Sequence, residues 1–312
     1  MVLGRRPLVP SRLGRRAFAH TGTEAPRSLI GAYVALTKPR IIELLLITTV
    51  PTMVLAAGEW PSTWLVVWTV VGGALAAGGA NALNMYVDRD IDALMERTRH
   101  RPLVTGMVSP RAALVFAFAL EAGAFGVVWS TSNVLAASLA LAATAFYIGI
   151  YTLWLKRTSR QNIVIGGAAG AVPVLVGWVA VTGSLDWAPV LLFLFIFFWT
   201  PPHFWALAIR HVDDYRAASV PMLPVVVSLA RTVRTMGAYT LVVFACSMAL
   251  VPVADMGVIY SIAAFVLGVA FIVVTYRLGE APTPTAAMRV FSYSISYVTL
   301  IGVAITVDVL VR

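Results

Sequence analysis

Charge is scarce in this chain. Of its 312 residues only 12% are Asp, Glu, Lys or Arg, while 60% are hydrophobic, and mean hydropathy is +0.86. That balance excludes an ordinary soluble domain and indicates a polytopic membrane protein. Cysteine is scarcer still. A lone Cys246 inside an apolar run excludes an internal disulfide, argues against a thiolate metal site and leaves packing as its role. Acidic residues are also few, 14 against 23 Lys and Arg, which gives a formal charge of +9. In a soluble protein such an excess would suggest nucleic acid. Residues 1–27 lack any apolar stretch that could act as a cleavable signal. They hold Arg5, Arg6, Arg12, Arg15, Arg16 and Arg27 with one acid, Glu24. A disordered basic tail is expected there, with an Arg-rich organellar transit peptide as the competing reading.

What fills the remainder is apolar sequence in nine runs, about 41–58, 63–87, 112–130, 133–155, 162–183, 188–209, 235–253, 256–276 and 290–311. Each has roughly the 18–25 residues that a spanning helix needs. The expected fold is therefore an all-α bundle of nine transmembrane helices, as one domain over 28–312. Basic residues are absent from the loops after spans one, three, five and seven. The stretch through Arg40 holds 8 of them and the loops after spans two, four, six and eight hold 5, 3, 4 and 2, which is 22 of 23; the last is Arg312. By the positive-inside rule the N-terminus and the even-numbered loops are expected on the cytoplasmic or matrix side and the C-terminus outside. The positive charge is then a matter of topology, and no nucleic-acid partner is needed.

Both unusual polar stretches open on that basic side. Asn81, Asn84, Asp88 and Asp92 follow one another at steps of three, four and four, which puts them on one stripe of a helix, with Asp90 turned away. Carboxylates and carboxamides at the mouth of a membrane helix need a wet cavity, a partner charge or a metal ion. The basic loop Arg97, Arg99, His100, Arg101 lies next to them. Oxygen ligands for a hard divalent cation beside arginines suit a metal-bound diphosphate. An ordinary helix end with solvated acids is the competing reading.

The second stretch runs from Trp199 through Pro201, Pro202, His203, Phe204 and Trp205 to Arg210, Asp213 and Asp214. His203, Arg210 and Asp214 are expected on one helical stripe. The two prolines should leave the carbonyls of Phe197 and Phe198 unpartnered and put His203 under a kink at a pocket. A hydrogen-bonded core histidine is the alternative. Val220-Pro-Met-Leu-Pro224 is expected to be a stiff connector. Lys156 and Arg157 end span four within a few turns of Tyr147 and Tyr151. Lys38 and Arg40 flank Pro39 at the start of span one, and Glu43 lies a turn inside it. Glu121 and Asp308 are expected to form interior polar pairings. The glycine-rich runs Gly72–Gly79 and Gly166–Gly170 are expected to let helices approach closely.

A Mg²⁺ site gripping a diphosphate above an apolar bundle suits a prenyl diphosphate, so electrophilic prenyl transfer is the expected reaction class. The stripe of Asn84, Asp88 and Asp92 resembles the first aspartate motif of the UbiA superfamily of intramembrane prenyltransferases. Thr37-Lys-Pro-Arg-Ile, Asn81-Ala-Leu-Asn-Met, Arg97-Thr-Arg-His-Arg-Pro-Leu, Trp199-Thr-Pro-Pro-His-Phe-Trp and Val220-Pro-Met-Leu-Pro, in that order over about 28–312, are similar to its haem-farnesylating branch.

The resemblance implies a nine-helix UbiA-type bundle that farnesylates haem B. Farnesyl diphosphate, a haem vinyl group and water would give haem O and diphosphate, and haem O would go to terminal oxidases directly or by way of haem A synthase. It implies Mg²⁺ held by Asn84, Asp88, Asp92 and Asp214, with Asp213 beside them in the catalytic set. Arg97, Arg101, Lys156, Lys38 and Arg40 would contact the diphosphate, and His203 and Tyr147 the haem. Arg210 stands where the superfamily often has a further acid, which leaves the number of metal ions open. A bacterial inner membrane is the expected location. Prenylation of another aromatic acceptor, of 4-hydroxybenzoate or chlorophyllide type, and transport are the competing functions. Embedded acids and a broken helix would suit a transporter, whereas acids and arginines crowded into two same-side loops suit it poorly.

Overall fold

Long apolar runs in a chain with few capping signals between them should give long helices with short, capped connections, and the computed structural model has that form. It describes Pro26 and residues 28–312; the basic tail expected over 1–27 lies almost wholly outside the described residues. In order come α1 (Leu29–Thr37), α2 (Pro39–Ala57), α3 (Thr63–Val87), α4 (Arg89–Leu94), α5 (Pro110–Thr131) and α6 (Val134–Phe146). The last of these runs on through a π-helix (Tyr147–Leu155) into α7 (Lys156–Thr158). Then follow α8 (Asn162–Thr182), α9 (Trp187–Arg210), α10 (Val212–Ala217), α11 (Leu223–Val226), α12 (Leu229–Val253), α13 (Val258–Glu280) and α14 (Pro284–Val311). There is no strand among the described residues.

Side-chain caps set the starts. Ser28, Ser109, Asn133, Ser228 and Thr283 each accept a hydrogen bond from the backbone N–H three residues on. Gly58 and Gly183 end α2 and α8 in the left-handed conformation. Among the described residues, eight helices are long and apolar enough to cross a membrane: α3, α5, α6 with its continuation to Thr158, α8, α9, α12, α13 and α14. The nineteen-residue α2 makes the ninth, in agreement with the nine runs of the sequence.

Neighbours in sequence pack side by side, from α3 against α5 and α5 against α6 round to α13 against α14, and α14 closes the ring on α2. Small residues set the tightest approaches, as expected. A Cβ on Gly79 of α3 would stand 2.6 Å from Glu121 Oε1 and 3.0 Å from the Ala117 carbonyl of α5. One on Gly177 of α8 would stand 2.8 Å from the Thr49 carbonyl of α2. With no gain in hydrophobic burial between helices inside a bilayer, such close backbone contact is what favours their association.

The interior polar residues find the expected partners. Glu121 is buried and accepts from Thr144 Oγ1 at 3.1 Å. Asp308, also buried, accepts from the N–H groups of Gly257 (2.7 Å) and Tyr260 (3.1 Å) and so caps α13 from the neighbouring α14. α9 continues as one helix through Pro201 and Pro202 to Arg210, with the carbonyls of Phe197 and Phe198 facing two residues that have no N–H to give. Packing against α8, α12 and α14 holds the helical path although two backbone donors are missing.

Candidate active site

The site is built where α3 ends. Asn81 (5% exposed), Asn84 (3%), Asp88 (0%) and Asp92 (0%) form the expected stripe. Asp88 is the joint between α3 and α4, and the N–H of Asp92 donates to its carbonyl at 2.8 Å, so the helical repeat passes through the joint. Buried carboxylates at such a depth need cations, and four side chains supply them. Lys156 Nζ donates to Asp88 Oδ2. Arg101 Nη1 donates to Asp92 Oδ2 at 2.5 Å. Arg157 Nη2 stands 3.9 Å from Asp88 Oδ1, and Lys38 Nζ donates to Asn84 Oδ1 at 2.7 Å. Asp90 faces out, where both its oxygens accept from Arg157 at 2.7 Å; these bonds hold its carboxyl down at about 2.

Lys38 owes its aim to an uncommon backbone. Between α1 and α2 it adopts φ 53°, ψ 62°, in the left-handed region that a residue with a Cβ seldom occupies. The turn also brings the Thr37 carbonyl onto Asn81 Nδ2, at 2.9 Å. Burial first, then the positive field of Arg101, lowers the Lys38 amine well below the ordinary lysine range. An arriving anion would reverse that pressure.

Asn84 is braced from three sides. Its Nδ2 donates to Asp88 Oδ2 (2.8 Å) and to Thr152 Oγ1 (3.1 Å), while Lys38 holds its oxygen. Thr152 in turn donates to the carbonyl of Tyr147, five residues back, in the step of a π-helix. This wide turn stacks Tyr147 on Tyr151, ring centroids 5.5 Å apart, and delivers Lys156 to Asp88.

Two carboxylate oxygens remain. Asp88 Oδ1 and Asp92 Oδ1 are buried without a hydrogen-bond partner, and so is Arg97 Nε. Carboxylate oxygens left without a hydrogen bond, four residues apart, fit a hard divalent cation. Mg²⁺ typically takes one or two carboxylates and completes its shell with water and phosphate oxygens. Among the described residues no group of three or more His, Cys, Asp or Glu is arranged to hold a metal, so the chain offers a half-shell rather than a closed cage.

The second acidic stretch turns at His211. α9 stops at Arg210 and Asp214 belongs to α10, while the N–H of Tyr215 donates to the His211 carbonyl at 3.2 Å, so the two helices are joined much as α3 and α4 are at Asp88. Asp214 Oδ1 accepts from the backbone N–H of Glu96 at 3.2 Å, which ties α10 to the loop after α4. Asp213 points to solvent, 89% exposed and paired with Arg216 at 2.6 Å. Successive positions on a helix project about 100° apart, so the two acids cannot share one face. Arg40 is likewise exposed, outside the cluster that Lys38 joins.

His203 lies deeper, in α9. It is 4% exposed and its ring is stacked between Trp199 (centroids 4.4 Å apart) and Phe291 (4.5 Å), with Phe204 edge-on at 5.1 Å. Thr152 and Ser294 were not singled out by the sequence, and Arg157 was marked only as the end of a span. Their partners stand 67 to 91 residues away along the chain, beyond the range of local spacing.

Comparison with known proteins agrees with the fold and gives the family. Residues 45–299 match the model of the UbiA prenyltransferase family. The chain is 53% identical to the protoheme IX farnesyltransferase of Clavibacter michiganensis, with 89% of this chain and 92% of that one covered. With the protoheme IX farnesyltransferase of Kineococcus radiotolerans it shares 51%, over 97% and 94% of the two chains. Among solved structures, a UbiA homologue from Aeropyrum pernix superposes with a TM-score of 0.69 at 22% identity, covering 86% of this chain and 99% of that one. A UbiA homologue from Archaeoglobus fulgidus bound to DMAPP and Mg²⁺ superposes with a TM-score of 0.66 at 17% identity, over 88% and 99%. With the family model matched over most of its length and relatives at about half identity along nearly all of it, the chain belongs to the UbiA prenyltransferase family, on the branch of the protoheme IX farnesyltransferases.

Proposed function

We propose that this integral membrane enzyme transfers the farnesyl group of farnesyl diphosphate to a vinyl group of haem B, with water, giving haem O and diphosphate. The buried pair Asp88 Oδ1 and Asp92 Oδ1, neither with a hydrogen bond and both ringed by Lys38, Arg101, Lys156 and Arg157, is the observation that carries the diphosphate half of this reading. The names of relatives at about half identity carry the acceptor half.

Asp88 and Asp92 would hold Mg²⁺, which supplies Lewis-acid stabilisation of the leaving diphosphate. Lys38, Arg97, Arg101 and Lys156 would take up the negative charge that grows on that group as the C1–O bond breaks. The vinyl carbon then bonds to farnesyl C1, water bonds to the adjoining carbon, and that water loses a proton. Tyr147 and Tyr151 form an aromatic wall beside the carboxylates, where a passing cation is stabilised by ring faces. Asn84 positions Asp88. Asp214 acts by holding the loop that bears Arg97.

The positive loops would face the cytoplasm of a bacterial inner membrane, with the C-terminus outside, and haem O would pass to haem A synthase or to a terminal oxidase. The test is an assay of purified protein with haem B, farnesyl diphosphate and Mg²⁺, products identified by mass, with Asp88→Asn alongside. Haem O from the parent and none from the variant is expected. Prenylation of a quinone precursor instead would replace the acceptor.

A further inference from the structure

His203 has one hydrogen bond, between Nδ1 and Ser294 Oγ at 2.7 Å, and no other among the described residues. The direction of that bond can be deduced. Ser294 Oγ lies 2.6 Å from the carbonyl oxygen of Phe291. Two oxygens so close need a proton between them, and the carbonyl has none, so the serine hydroxyl donates to Phe291. Its proton is thereby committed, and Nδ1 of His203 must carry the hydrogen of the bond to Ser294. The ring is the Nδ1–H tautomer. Nε2 is then a bare lone pair with no partner among the described residues.

Nε2 is not among the unpartnered atoms that are fully enclosed, so the small open part of His203, 4% of its surface, includes this atom, and an open acceptor on so buried a ring calls for an explanation. Its surroundings narrow the choice. Trp199 and Phe291 cover both faces of the imidazole, and the Trp199 indole is fixed in turn by donating to the Ser294 carbonyl at 2.8 Å. Only the ring edge is left for approach, along the line of the Nε2 lone pair. Metals meet imidazole along that line, and the usual way to prepare such a ligand is to engage the other nitrogen as a donor. A haem propionate would need an N–H, which Nε2 lacks in this tautomer.

The placement also suits the substrate. At 1.5 Å per residue, His203 is about 10 Å deeper along α9 than Arg210. The Tyr151 ring packs on Gly166, and the next residue, Gly167, packs on Thr200, which joins the carboxylate mouth to this part of α9 by continuous contact. A flat apolar ring below a basic rim is a setting for a porphyrin whose propionates point up to that rim.

We infer that His203 Nε2 is the axial ligand that binds the iron of the haem substrate, and that Ser294 is the positioning residue that fixes its tautomer and plane. This rests on the reading of haem B as acceptor. The test is the optical and resonance Raman spectrum of haem B added to the purified protein in nanodiscs, without farnesyl diphosphate. Parent protein is expected to show an iron–histidine stretch that shifts on ¹⁵N-histidine labelling. His203→Gly should lose it and regain ligation when imidazole is added. Ser294→Ala should keep the ligand but bind haem ~10–100-fold more weakly, the usual cost of losing such a supporting bond. Asp88→Asn should keep the spectrum while losing transfer, which separates the two halves of the site. An unchanged iron–histidine stretch in both His203→Gly and His203→Gln would overturn the ligand. If either variant fails to fold, a parent spectrum without any nitrogen-sensitive stretch overturns it equally. Should the parent make haem O all the same, only the ligand is lost; should it neither bind haem nor make haem O, the acceptor reading falls as well.

Discussion

Lys156 donates to one carboxylate oxygen of Asp88 and leaves the other, Oδ1, buried without a hydrogen-bond partner. The two residues are 68 apart in sequence and meet because the π-helix ends on the stripe that α3 begins. An Asp88→Asn substitution keeps the shape and removes the charge that both Lys156 and a bound cation would need. Farnesyl transfer should fall by more than ~100-fold, beyond what loss of a supporting contact alone costs, with the thermal transition still present. EDTA should reduce the parent to the same level, and Mg²⁺ should restore the parent alone. Initial rates against Mg²⁺ concentration are the measurement; an unchanged Mg²⁺ dependence in Asp88→Asn would remove Asp88 from the metal site.

Thr152 touches neither carboxylate, yet its hydroxyl receives Asn84 and donates to Tyr147. Thr152→Val conserves volume and deletes both bonds. The apparent Mg²⁺ affinity should drop ~10–100-fold while Thr152→Ser retains most of it. Equal losses in the valine and serine variants would argue for packing rather than for the hydroxyl.

The Asp90–Arg157 fork gives a pH dependence. Arg157 donates both bonds to Asp90 and depresses its carboxyl from the usual value to about 2. A carboxyl depressed by folding contributes stability that is complete above its unfolded value near 4 and is lost as pH falls towards 2. The pair is largely exposed, so screening reduces its contribution to ~0.5 kcal/mol. Thermal unfolding of Asp90→Asn in detergent should show a slightly lower midpoint at neutral pH, and the gap to the parent should close between about pH 4 and 2. A gap that stays constant through that window would show that the ion pair is not its cause.

Asp308 works as a remote cap. Replacement by Ala would leave the N–H groups of Gly257 and Tyr260 without their acceptor and Arg312 Nε without its carboxylate, 3.3 Å away. A loss of about 1–2 kcal/mol is expected, with the specific activity of the folded fraction preserved because the α13 N-terminus is remote from the carboxylates. Differential scanning with a parallel turnover assay would check both.

Much of the fold could be read from the sequence because the bilayer sets a length that apolar runs must meet, and because Lys and Arg alternate between loops. The Asn81 to Asp92 stripe was legible for a related reason: a helical repeat projects simple spacings onto one face. Asp214 was legible in the same way, as the acid in step with His203 and Arg210, whereas its bond to the Glu96 N–H, 118 residues away, was not. The two prolines were legible as missing donors but not as residues inside one continuous α9, which its neighbours hold. Lys38 was placed at a helix start, but its left-handed backbone follows from Asn81 and Asn84, more than 40 residues on. The partnership of His203 with Ser294 spans 91 residues and leaves no local trace.

The π-helix has a consequence for which changes the chain can tolerate. Its wider turn admits more residues per rotation than the α-helix that precedes it. Removing one residue between Tyr147 and Leu155 would let the segment relax towards regular winding with little change of phase beyond it, so Lys156 and Arg157 would keep their side of the helix. What would be lost is the bond from Thr152 to the carbonyl of Tyr147, five residues back, and with it the brace on Asn84. The length of this segment is therefore tied to the positioning of Asn84 more than to the delivery of the two cations.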